Sequence, residues 1–375
     1  MIKNGLEHLL SDSPELIAGR RIGLLTNACS VDVQMVTTLD RLRERGDVAI
    51  HALVVPKEGY HGALPPGAPV ESSSTSGIPV YSIEAMEGAF SDIDLFVIDL
   101  IHVGVRYFSS GAAVAAALVA ASAAGVPVLV LDRPAPLNGF SIEGPSAHLL
   151  NGFALPARDG LTTGELAACL NQVAEIGCAL SVVPMLGWQR GMWFDRTGYA
   201  FVPISPILPS LDALLVSPGS RLVEASVLSA GIGTARPYEY LGAPWLNADE
   251  LARDLNKIGL DSVRFRAAHF LPGHDRYAGE VCAGVQIYVT NRNTFRPVEA
   301  ALYVLAFARA QNPERFGWVS PDREGDPYPI DVLSGGSALR EHIDAHHPIP
   351  NILEDWREPL QTFSALRRPF LLYPA

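Results

Sequence analysis

A chain of 375 residues is long enough for one large domain or two of ordinary size, and 48% hydrophobic residues can fill a core. The 40 acidic residues outnumber the 28 basic ones, and the net charge of −12 argues against nucleic acid as a partner, because phosphate binding needs basic clusters. No apolar run is long enough to span a bilayer and no signal peptide pattern opens the chain, so the sequence predicts a cytoplasmic protein with no membrane partner.

The first half of the chain alternates short apolar segments with helical ones, a pattern typical of a parallel sheet covered by helices on both faces. In chain order, the pattern predicts strands at 21–27, 50–55, 78–83, 94–100, 126–131 and 180–184, and helices at 36–44, 111–124 and 163–176. The predicted fold class is therefore α/β, with a Rossmann-like, doubly wound, mostly parallel sheet in residues 1–200. In such sheets, ligands bind beyond the carboxyl ends of the strands.

The composition changes between residues 188 and 218, where Trp, Gly and Pro are frequent and no period is strong. We therefore predict a domain boundary near residue 200. Beyond it, the pattern predicts helices at 248–258, 297–311, 338–346 and 352–366, and strands at 263–270 and 284–290. This mixture predicts a smaller α+β auxiliary domain in residues 201–375.

Polar side chains that suit chemistry follow several predicted strands of the first half. They are Asn27, Lys57, Glu58, His61, Asp99, His102, Arg106 and Arg133. Because the carboxyl ends of parallel strands meet at one edge of a sheet, we expect these side chains to converge on one crevice. No GxGxxG or GxxxxGKS/T motif accompanies them, so the sequence predicts no nucleotide and no other cofactor.

Each of these residues also has a purely structural interpretation. Charged residues beside glycine, as after the second strand, are common in solvated loops, and an aspartate at a strand end, such as Asp99, is often a cap. Arg106 can bind an anion or pair with Asp99. Farther along, a loop stiffened by prolines carries Glu143, and Asp159 precedes a helix whose capping residues are expected at 162–165.

The second half carries two further polar segments. Arg236 and Glu239 offer an anion clamp and a carboxylate beside aromatic residues, a combination that suits a sugar, although the two side chains can also form a simple ion pair. Tyr277 and Glu280 lie in a second segment that is equally polar. The sequence has no HExxH motif and no Cys/His ligand spacing, and its four cysteines are scattered, so no metal is expected.

Nine short motifs stand in order along nearly the whole chain. They are RIGLLTN at 21–27, DRPAPLNG at 132–139, EGP at 143–145, GLTTGEL at 160–166, GWQRGMWFD at 187–195, TARPYE at 234–239, GAPW at 242–245, YAGE at 277–280 and LLY at 371–373. Together they resemble the NamZ-type exo-β-N-acetylmuramidase family, formerly a bacterial domain of unknown function. The resemblance implies a Rossmann-like domain, a second domain, a cleft between them, and removal of terminal N-acetylmuramic acid from peptidoglycan fragments.

Three loops depart from the pattern of the family that the chain resembles. Where the family has Gly-Pro-Glu-His-Gly-Phe-Arg-Gly, residues 55–62 read Val-Pro-Lys-Glu-Gly-Tyr-His-Gly, so Lys57 replaces a glutamate. Where the family has Asp-Ile-Gln-Asp-Val-Gly, residues 99–104 read Asp-Leu-Ile-His-Val-Gly, so His102 replaces an aspartate. The family's Arg-His-Gly is Arg-Asp-Gly here, with Asp159 in the middle. Glycoside hydrolysis needs two carboxyl groups, so these exchanges predict an altered or lost activity.

Three functions are compatible with the sequence. The first is a divergent glycosidase that acts on an amino sugar or a related small acidic substrate. The second is an enzyme of different chemistry, with Lys57 as nucleophile or anion clamp and His102 as base. The third is a non-catalytic protein that binds a sugar or an anion. The predicted partner is thus a small molecule or sugar, and a homodimer stays open.

The three alternatives draw on one set of residues, which are expected around the cleft. The predicted catalytic residues are Lys57, Glu58, Asp99, His102 and Glu239. The predicted substrate-binding residues are Asn27, His61, Arg106, Arg133, Glu143, Asp159, Arg236, Tyr277 and Glu280.

Overall fold

The computed structural model describes residues 2–64, 73–75, 77–150 and 152–375. The strands are β1 (Arg21–Thr26), β2 (Ala49–Val55), β3 (Ser73–Thr75), β4 (Ile78–Ser82), β5 (Leu95–Asp99), β6 (Val128–Leu131), β7 (Glu143–Leu150), β8 (Phe153–Arg158), β9 (Leu180–Val183), β10 (Tyr240–Ala243), β11 (Val263–Phe270) and β12 (Cys282–Val289). The helices are α1 (Gly5–Asp12), α2 (Thr38–Glu44), α3 (Ser109–Ala124), α4 (Thr163–Val173), α5 (Leu211–Glu224), α6 (Ala248–Lys257), α7 (Pro297–Gln311), α8 (Pro329–Ser334), α9 (Ala338–Asp344), α10 (Ile349–Asp355) and α11 (Arg357–Arg367).

The first half is built on one large sheet, with the strand order β3-β4-β2-β1-β5-β6-β9. All neighbouring pairs from β4 to β9 are parallel, whereas β3 runs antiparallel to β4. Without β3, the chain order of the parallel strands across the sheet is 3-2-1-4-5-6, which is the Rossmann arrangement. The predicted Rossmann-like α/β sheet is therefore confirmed.

The strand order reverses between β1 and β5, and this reversal determines where a ligand can bind. Loops beyond the carboxyl ends of the two strands run in opposite directions and leave a crevice between them. The register pairs Thr26 with Asp99, so the loops that begin at Asn27 and Leu100 start side by side. Residues 22–26 and 95–99 are buried throughout, which explains the near-continuous apolar sequence of these two strands.

The second half combines helices with a three-stranded antiparallel sheet in the order β10-β12-β11. Helix α5 packs on α7, and α6 packs on β11. One apolar cluster includes Val103 and Val105 from the loop after β5 together with Leu222 and Val223 of α5, so the two halves share a core. The predicted smaller α+β domain is confirmed, and the boundary near residue 200 stays a prediction.

Some elements differ from the prediction, and proline explains two of them. The hairpin of β7 and β8 was not predicted, because Pro145 and Pro156 normally argue against a strand. The helix predicted at 352–366 is divided into α10 and α11 at Trp356. Pro359 has no N–H to donate to the carbonyl of Asp355, but it fits the first turn of a new helix.

The C-terminal segment is fastened to the first half through a buried polar cluster. The Tyr373 hydroxyl donates to the Asp132 carboxylate and accepts a 3.0 Å bond from the Met185 N–H. Asp132 also accepts from the Thr162 hydroxyl at 2.7 Å and the Gly164 N–H at 2.8 Å. Burial raises the pKa of Asp132 to about 6, and the bond from Tyr373 opposes that rise.

We expect Tyr373→Phe to lower the free energy of unfolding by about 1–3 kcal/mol at pH 8 and by less at pH 5. The lost bond stabilises the ionised Asp132 most, and that form predominates above a folded pKa of about 6. Without the hydroxyl, the folded pKa rises further above the unfolded value, so stability falls more steeply as the pH rises through 6. Urea unfolding at both pH values measures this.

The control for this prediction is Tyr328→Phe, whose hydroxyl has no hydrogen bond within the described ranges and whose side chain is partly exposed. It should change stability little at either pH. A loss in Tyr373→Phe that is equal at pH 5 and pH 8 would show that the hydroxyl does not act through Asp132.

Candidate functional site

A cavity of about 400 Å³ lies between the two halves, beside the carboxyl end of the sheet. The loop after β2 contributes Lys57 and Glu58 to its lining, and the loop after β5 contributes Arg106. The second half contributes Arg221 and Glu224 from the last turn of α5. Binding sites for small ligands typically have about 300–1,000 Å³, so the cavity has room for one sugar ring with its substituents.

A smaller enclosed space of about 20 Å³ adjoins this cavity at the point where the strand order reverses. It shares Glu58 and Ser109 with the larger cavity, and Asn27 and Ser110 extend its polar lining. A water molecule needs about 10–15 Å³ and several polar partners. The space therefore fits one water next to the Glu58 carboxylate.

The surroundings of Glu58 suit a functional carboxylate. Its side chain is half-buried, and it accepts a 2.7 Å hydrogen bond from the hydroxyl of Ser109, the first residue of α3. The positive end of the helix dipole favours a negative charge at this position. The N-cap residue of α3, Phe108, provides no side-chain cap. Two tight turns with left-handed glycines, Gly59 and Gly62, shape this loop.

Arg106 is a cation that is held firmly beside the cavity without an acidic partner. Its Nη2 donates to the carbonyl of Pro145 at 3.3 Å and to that of Leu333 at 2.6 Å, one in each half of the chain. Its buried Nε has no partner among the residues that the structure describes, and no carboxylate forms an ion pair with it there. Burial lowers the pKa of Arg106 from its ordinary value. Such a group is suited to bind an anion.

Lys57 and His61 lie farther out than Glu58. The Lys57 side chain is 68% exposed and its ammonium is 3.6 Å from the carboxylate of Glu84, also on the surface. His61 is exposed and packs edge-to-face against Tyr60, with 5.0 Å between the ring centroids. Lys57 therefore belongs to the rim of the cavity, and its charge is directed towards an acid at the surface.

Asp99 and Arg133 form a buried ion pair rather than part of the cavity. Asp99 is fully buried and Arg133 is 4% exposed. The guanidinium donates to both carboxylate oxygens, with 2.8 Å between Nη2 and Oδ2, and Thr38 donates to the same carboxylate. The partner of Asp99 is thus Arg133 and not Arg106. Asp99 thus lies in the interior at the end of β5 and does not line the cavity.

His102 and Asp159 form a second buried pair. The His102 Nε2 lies 3.0 Å from an Asp159 oxygen, and its Nδ1 lies 3.2 Å from the hydroxyl of Ser110. The connectivity is that of a Ser-His-Asp triad, but both His102 and Asp159 side chains are fully inaccessible, and Ser110 faces only the 20 Å³ space. An acyl substrate is larger than this space, so the structure does not present Ser110 as an accessible nucleophile.

The remaining predicted residues lie away from the cavity. Glu143 accepts bonds from the Val298 and Glu299 N–H groups at the start of α7, and burial raises its pKa to about 7. Glu239 accepts a 2.8 Å bond from Arg236 in an i,i+3 ion pair, and partial burial raises its pKa. Neither member of that pair lines the described cavities.

The structure thus brings four of the predicted site residues together, namely Asn27, Lys57, Glu58 and Arg106. Their roles, and those of the other predicted residues, stay predictions. Arg221 and Glu224 were not predicted, because no helix was predicted between the segment 188–218 and residue 248, and α5 lies there in part. The sequence did contain one local signal for this helix, the serine at position 210. Its side chain accepts a hydrogen bond from the Ala213 N–H and caps α5.

Metal-ligand clusters and membrane-spanning helices are both absent from the part of the chain that the structure describes. There, no three side chains of His, Cys, Asp or Glu are grouped so that they could hold a metal ion. No described helix combines the length and the apolar composition that crossing a membrane requires.

Comparisons with known proteins relate nearly the whole chain to one family. The family model described as exo-β-N-acetylmuramidase NamZ, N-terminal, matches residues 22–212, and the C-terminal one matches residues 215–373. The chain is 34% identical, over 384 residues, to the peptidoglycan β-N-acetylmuramidase NamZ of Bacillus subtilis (strain 168), which covers 99% of this chain and 91% of that protein.

Two solved structures of DUF1343 family proteins from Bacteroides fragilis share the architecture. One is 31% identical with a TM-score of 0.90, and the match covers 99% of each chain. The other is 22% identical with a TM-score of 0.76, covers 100% of this chain and 99% of that one, and bears on the fold alone.

Proposed function

The chain belongs to the NamZ exo-β-N-acetylmuramidase family, and we propose that it is a glycoside hydrolase that removes a terminal amino sugar bearing an acid group. Family membership supports a glycosidase-like function, and the acidic sugar is our inference. The observation that carries it is the cavity between the halves, where the Glu58 carboxylate and the unpaired Arg106 face one space.

In this proposal, Glu58 is the base that activates the attacking water. The 20 Å³ space beside it can hold that water, and Ser109 fixes the carboxylate at 2.7 Å. Hydrolysis of a glycosidic bond passes through a cation-like transition state, which a nearby carboxylate also stabilises. Glu58 thus needs no help from Lys57, which lies at the rim.

Arg106 binds the acid group of the sugar in this proposal. Its Nη2 is engaged by two carbonyls, but its Nη1 has no hydrogen bond within the described ranges and can donate to a carboxylate, and such charge-assisted bonds are stronger than neutral ones. Because Arg106 is anchored on the carbonyls of Pro145 and Leu333, little conformational freedom is lost when the ligand arrives. N-acetylmuramic acid carries such a carboxylate, and it is the sugar named in the description of the family.

An enzyme that combines Lys57 with His102 is not favoured by the geometry. His102 is fully buried on Asp159, whereas Lys57 is mostly exposed beside Glu84, so no substrate can contact both. A protein that binds the sugar without cleaving it is the remaining alternative, and it is an outcome of the test below.

The test is incubation of the purified protein with a peptidoglycan fragment that ends in N-acetylmuramic acid, followed by chromatographic detection of the free sugar. Release supports the proposal. Binding in a titration without release supports the non-catalytic alternative. A failure both to bind and to release would contradict the proposed substrate.

We expect Arg106→Met to raise KM for the acidic sugar about 10- to 100-fold, since a hydrogen bond to a charged group contributes about 1.5–3 kcal/mol. For the matching substrate with terminal N-acetylglucosamine, which lacks the acid group, KM should change little. Steady-state kinetics on the two substrates measure the difference.

The control is Arg323→Met, which removes an exposed arginine away from the cavity. Thermal unfolding reports whether loss of the bonds to Pro145 and Leu333 disturbs the fold. If Arg106→Met is unstable, Arg106→Lys is measured instead, because it keeps the positive charge. An equal rise in KM for both substrates would show that Arg106 does not recognise the acid group.

A further inference from the structure

A second groove, of about 230 Å³, lies against the same turn of α5 as the cavity. Its lining includes Asp275 and Arg276 from the loop between β11 and β12, and Leu333 from α8. Arg221 and Glu224 line both the groove and the cavity. The two spaces are therefore neighbours that share one wall.

Direct contacts connect the cavity and the groove across the shared wall. Arg106, which lines the cavity, donates to the carbonyl of Leu333, which lines the groove, at 2.6 Å. Beside them, Nη1 of Arg221 donates to Oε2 of Glu224 at 2.5 Å. A ligand that fills the cavity and extends into the groove would therefore pass the Glu224 carboxylate.

The loop that borders the groove presents two charged side chains without partners in the described part of the chain. Asp275 and Tyr277 have φ of +66° and +59°, in the left-handed region, so the loop makes tight turns beside the groove. The side chains of Asp275 and Arg276 make no hydrogen bond or ion pair with any residue in the described ranges. Both are thus available to bind polar groups such as sugar hydroxyls.

We propose that this groove binds the sugar to which the terminal residue is attached, and that Glu224, at the shared wall, protonates the departing oxygen. This inference rests on the proposed function and adds to it the leaving-group site and the second carboxylate. Glu58 lines the cavity and the small space but not the groove, so it is on the side of the attacking water.

The step balances with water as the only co-reactant. The C1–O bond breaks, its electron pair stays on the departing oxygen, and that oxygen takes the proton of the Glu224 carboxyl. Water adds to C1 and gives its proton to Glu58. Exchange with solvent then restores both carboxyl groups. The bond from Arg221 engages Oε2, and a protonated carboxyl can still accept there through its carbonyl oxygen.

Two substrates with the same terminal sugar test the proposal, one linked to a second sugar and one linked to 4-nitrophenol. Glu224→Gln should reduce kcat on the disaccharide by about 10²–10⁴-fold, because a sugar oxygen must be protonated to leave. On the nitrophenyl substrate the loss should be far smaller, because nitrophenolate leaves unprotonated. The pH profile of the variant on the disaccharide should also lose its basic limb.

Arg276→Ala tests the groove separately. It should lower kcat/KM about tenfold on the disaccharide, through the loss of charge-assisted bonds to the second sugar, and leave the nitrophenyl substrate unaffected. Arg253→Ala, an exposed arginine of α6, is the matched control and should change neither substrate. Equal effects of Arg276→Ala on both substrates would overturn the groove assignment.

Equal losses on both substrates in Glu224→Gln would overturn the role of Glu224, while turnover by the unmodified protein would still support the proposed function. If the unmodified protein cleaves neither substrate, both proposals fall. If Glu224→Gln does not fold, Glu224→Asp is the alternative, because it keeps the acid but shortens the side chain by one methylene. Its loss of kcat on the disaccharide should again exceed its loss on the nitrophenyl substrate.

Discussion

Replacing Glu58 with glutamine is expected to reduce kcat for release of the terminal sugar by about 10²–10⁴-fold, the range that a general acid or base contributes. Glutamine has the same size, and its amide oxygen can still accept the bond from Ser109, so the loop should keep its shape. What the variant loses is the ability to take a proton from water and to stabilise positive charge. Initial rates at saturating substrate measure the loss.

A matched control lies on the neighbouring surface. Glu84 is an acid 59% exposed beside Lys57, so Glu84→Gln removes a nearby charge without touching the cavity lining. Its kcat should stay close to that of the unmodified protein. If Glu58→Gln still binds the sugar and keeps normal turnover, Glu58 is excluded as the base. Glu224 would then be the other carboxylate of the cavity lining to test.

The sheet could be predicted because its central strands are buried on both faces. The strands predicted at 21–27 and 94–100 match β1 and β5 within two residues at each end, and both are apolar almost throughout. The hairpin of β7 and β8 could not be found in this way. It carries two prolines, its register is interrupted by bulges, and its burial does not alternate regularly.

The candidate site was predicted only in part, because a strand end indicates an edge of the sheet and not the direction of a side chain. Glu58 and Asp99 both follow or end parallel strands. Glu58 faces the cavity from a loop, whereas Asp99 is the last residue of β5 and turns to Arg133 in the interior. Arg221 and Glu224 come from a distant helix, so only the packing of the two halves brings them to the cavity.

Two of the exchanges relative to the family pattern meet in space, which the sequence alone did not show. His102 stands where the pattern has an aspartate, and Asp159 stands where it has a histidine. The two side chains are hydrogen-bonded at 3.0 Å and fully buried, so the two exchanges fall on the two members of one contact. Both residues lie in the interior and not in the lining of the cavity, and whether the departures alter or abolish the activity stays a prediction.

Arg133→Met is expected to have the largest effect on stability, a loss of about 3–5 kcal/mol in the free energy of unfolding. Methionine approximates the volume of the arginine stem, but it leaves the charge of Asp99 buried without its partner. Arg133 also donates to the carbonyl of Val31 at 2.6 Å and to the hydroxyl of Thr38 at 3.0 Å, and these bonds are lost as well. Urea unfolding measures the change.

The double variant Asp99→Leu with Arg133→Met separates the two causes of this loss. If the penalty arises mainly from an uncompensated buried charge, the double variant should be more stable than Arg133→Met alone, although it has lost more hydrogen bonds. A double variant that is less stable than either single one would show that lost hydrogen bonds, such as the one from Thr38 to Asp99, and not the uncompensated charge, account for the loss.

An exposed pair with comparable geometry provides the contrast. Arg21 and Asp94 are 2.8 Å apart on the same sheet, but both side chains are substantially exposed, and water already solvates either charge when the other is removed. Arg21→Met should therefore change stability little. Because the Asp99–Arg133 pair ties the end of β5 to the loop after β6, its loss should also displace the segment that carries Arg106 into the cavity. We therefore expect Arg133→Met, but not Arg21→Met, to raise KM for the acidic sugar at temperatures where both variants are still folded.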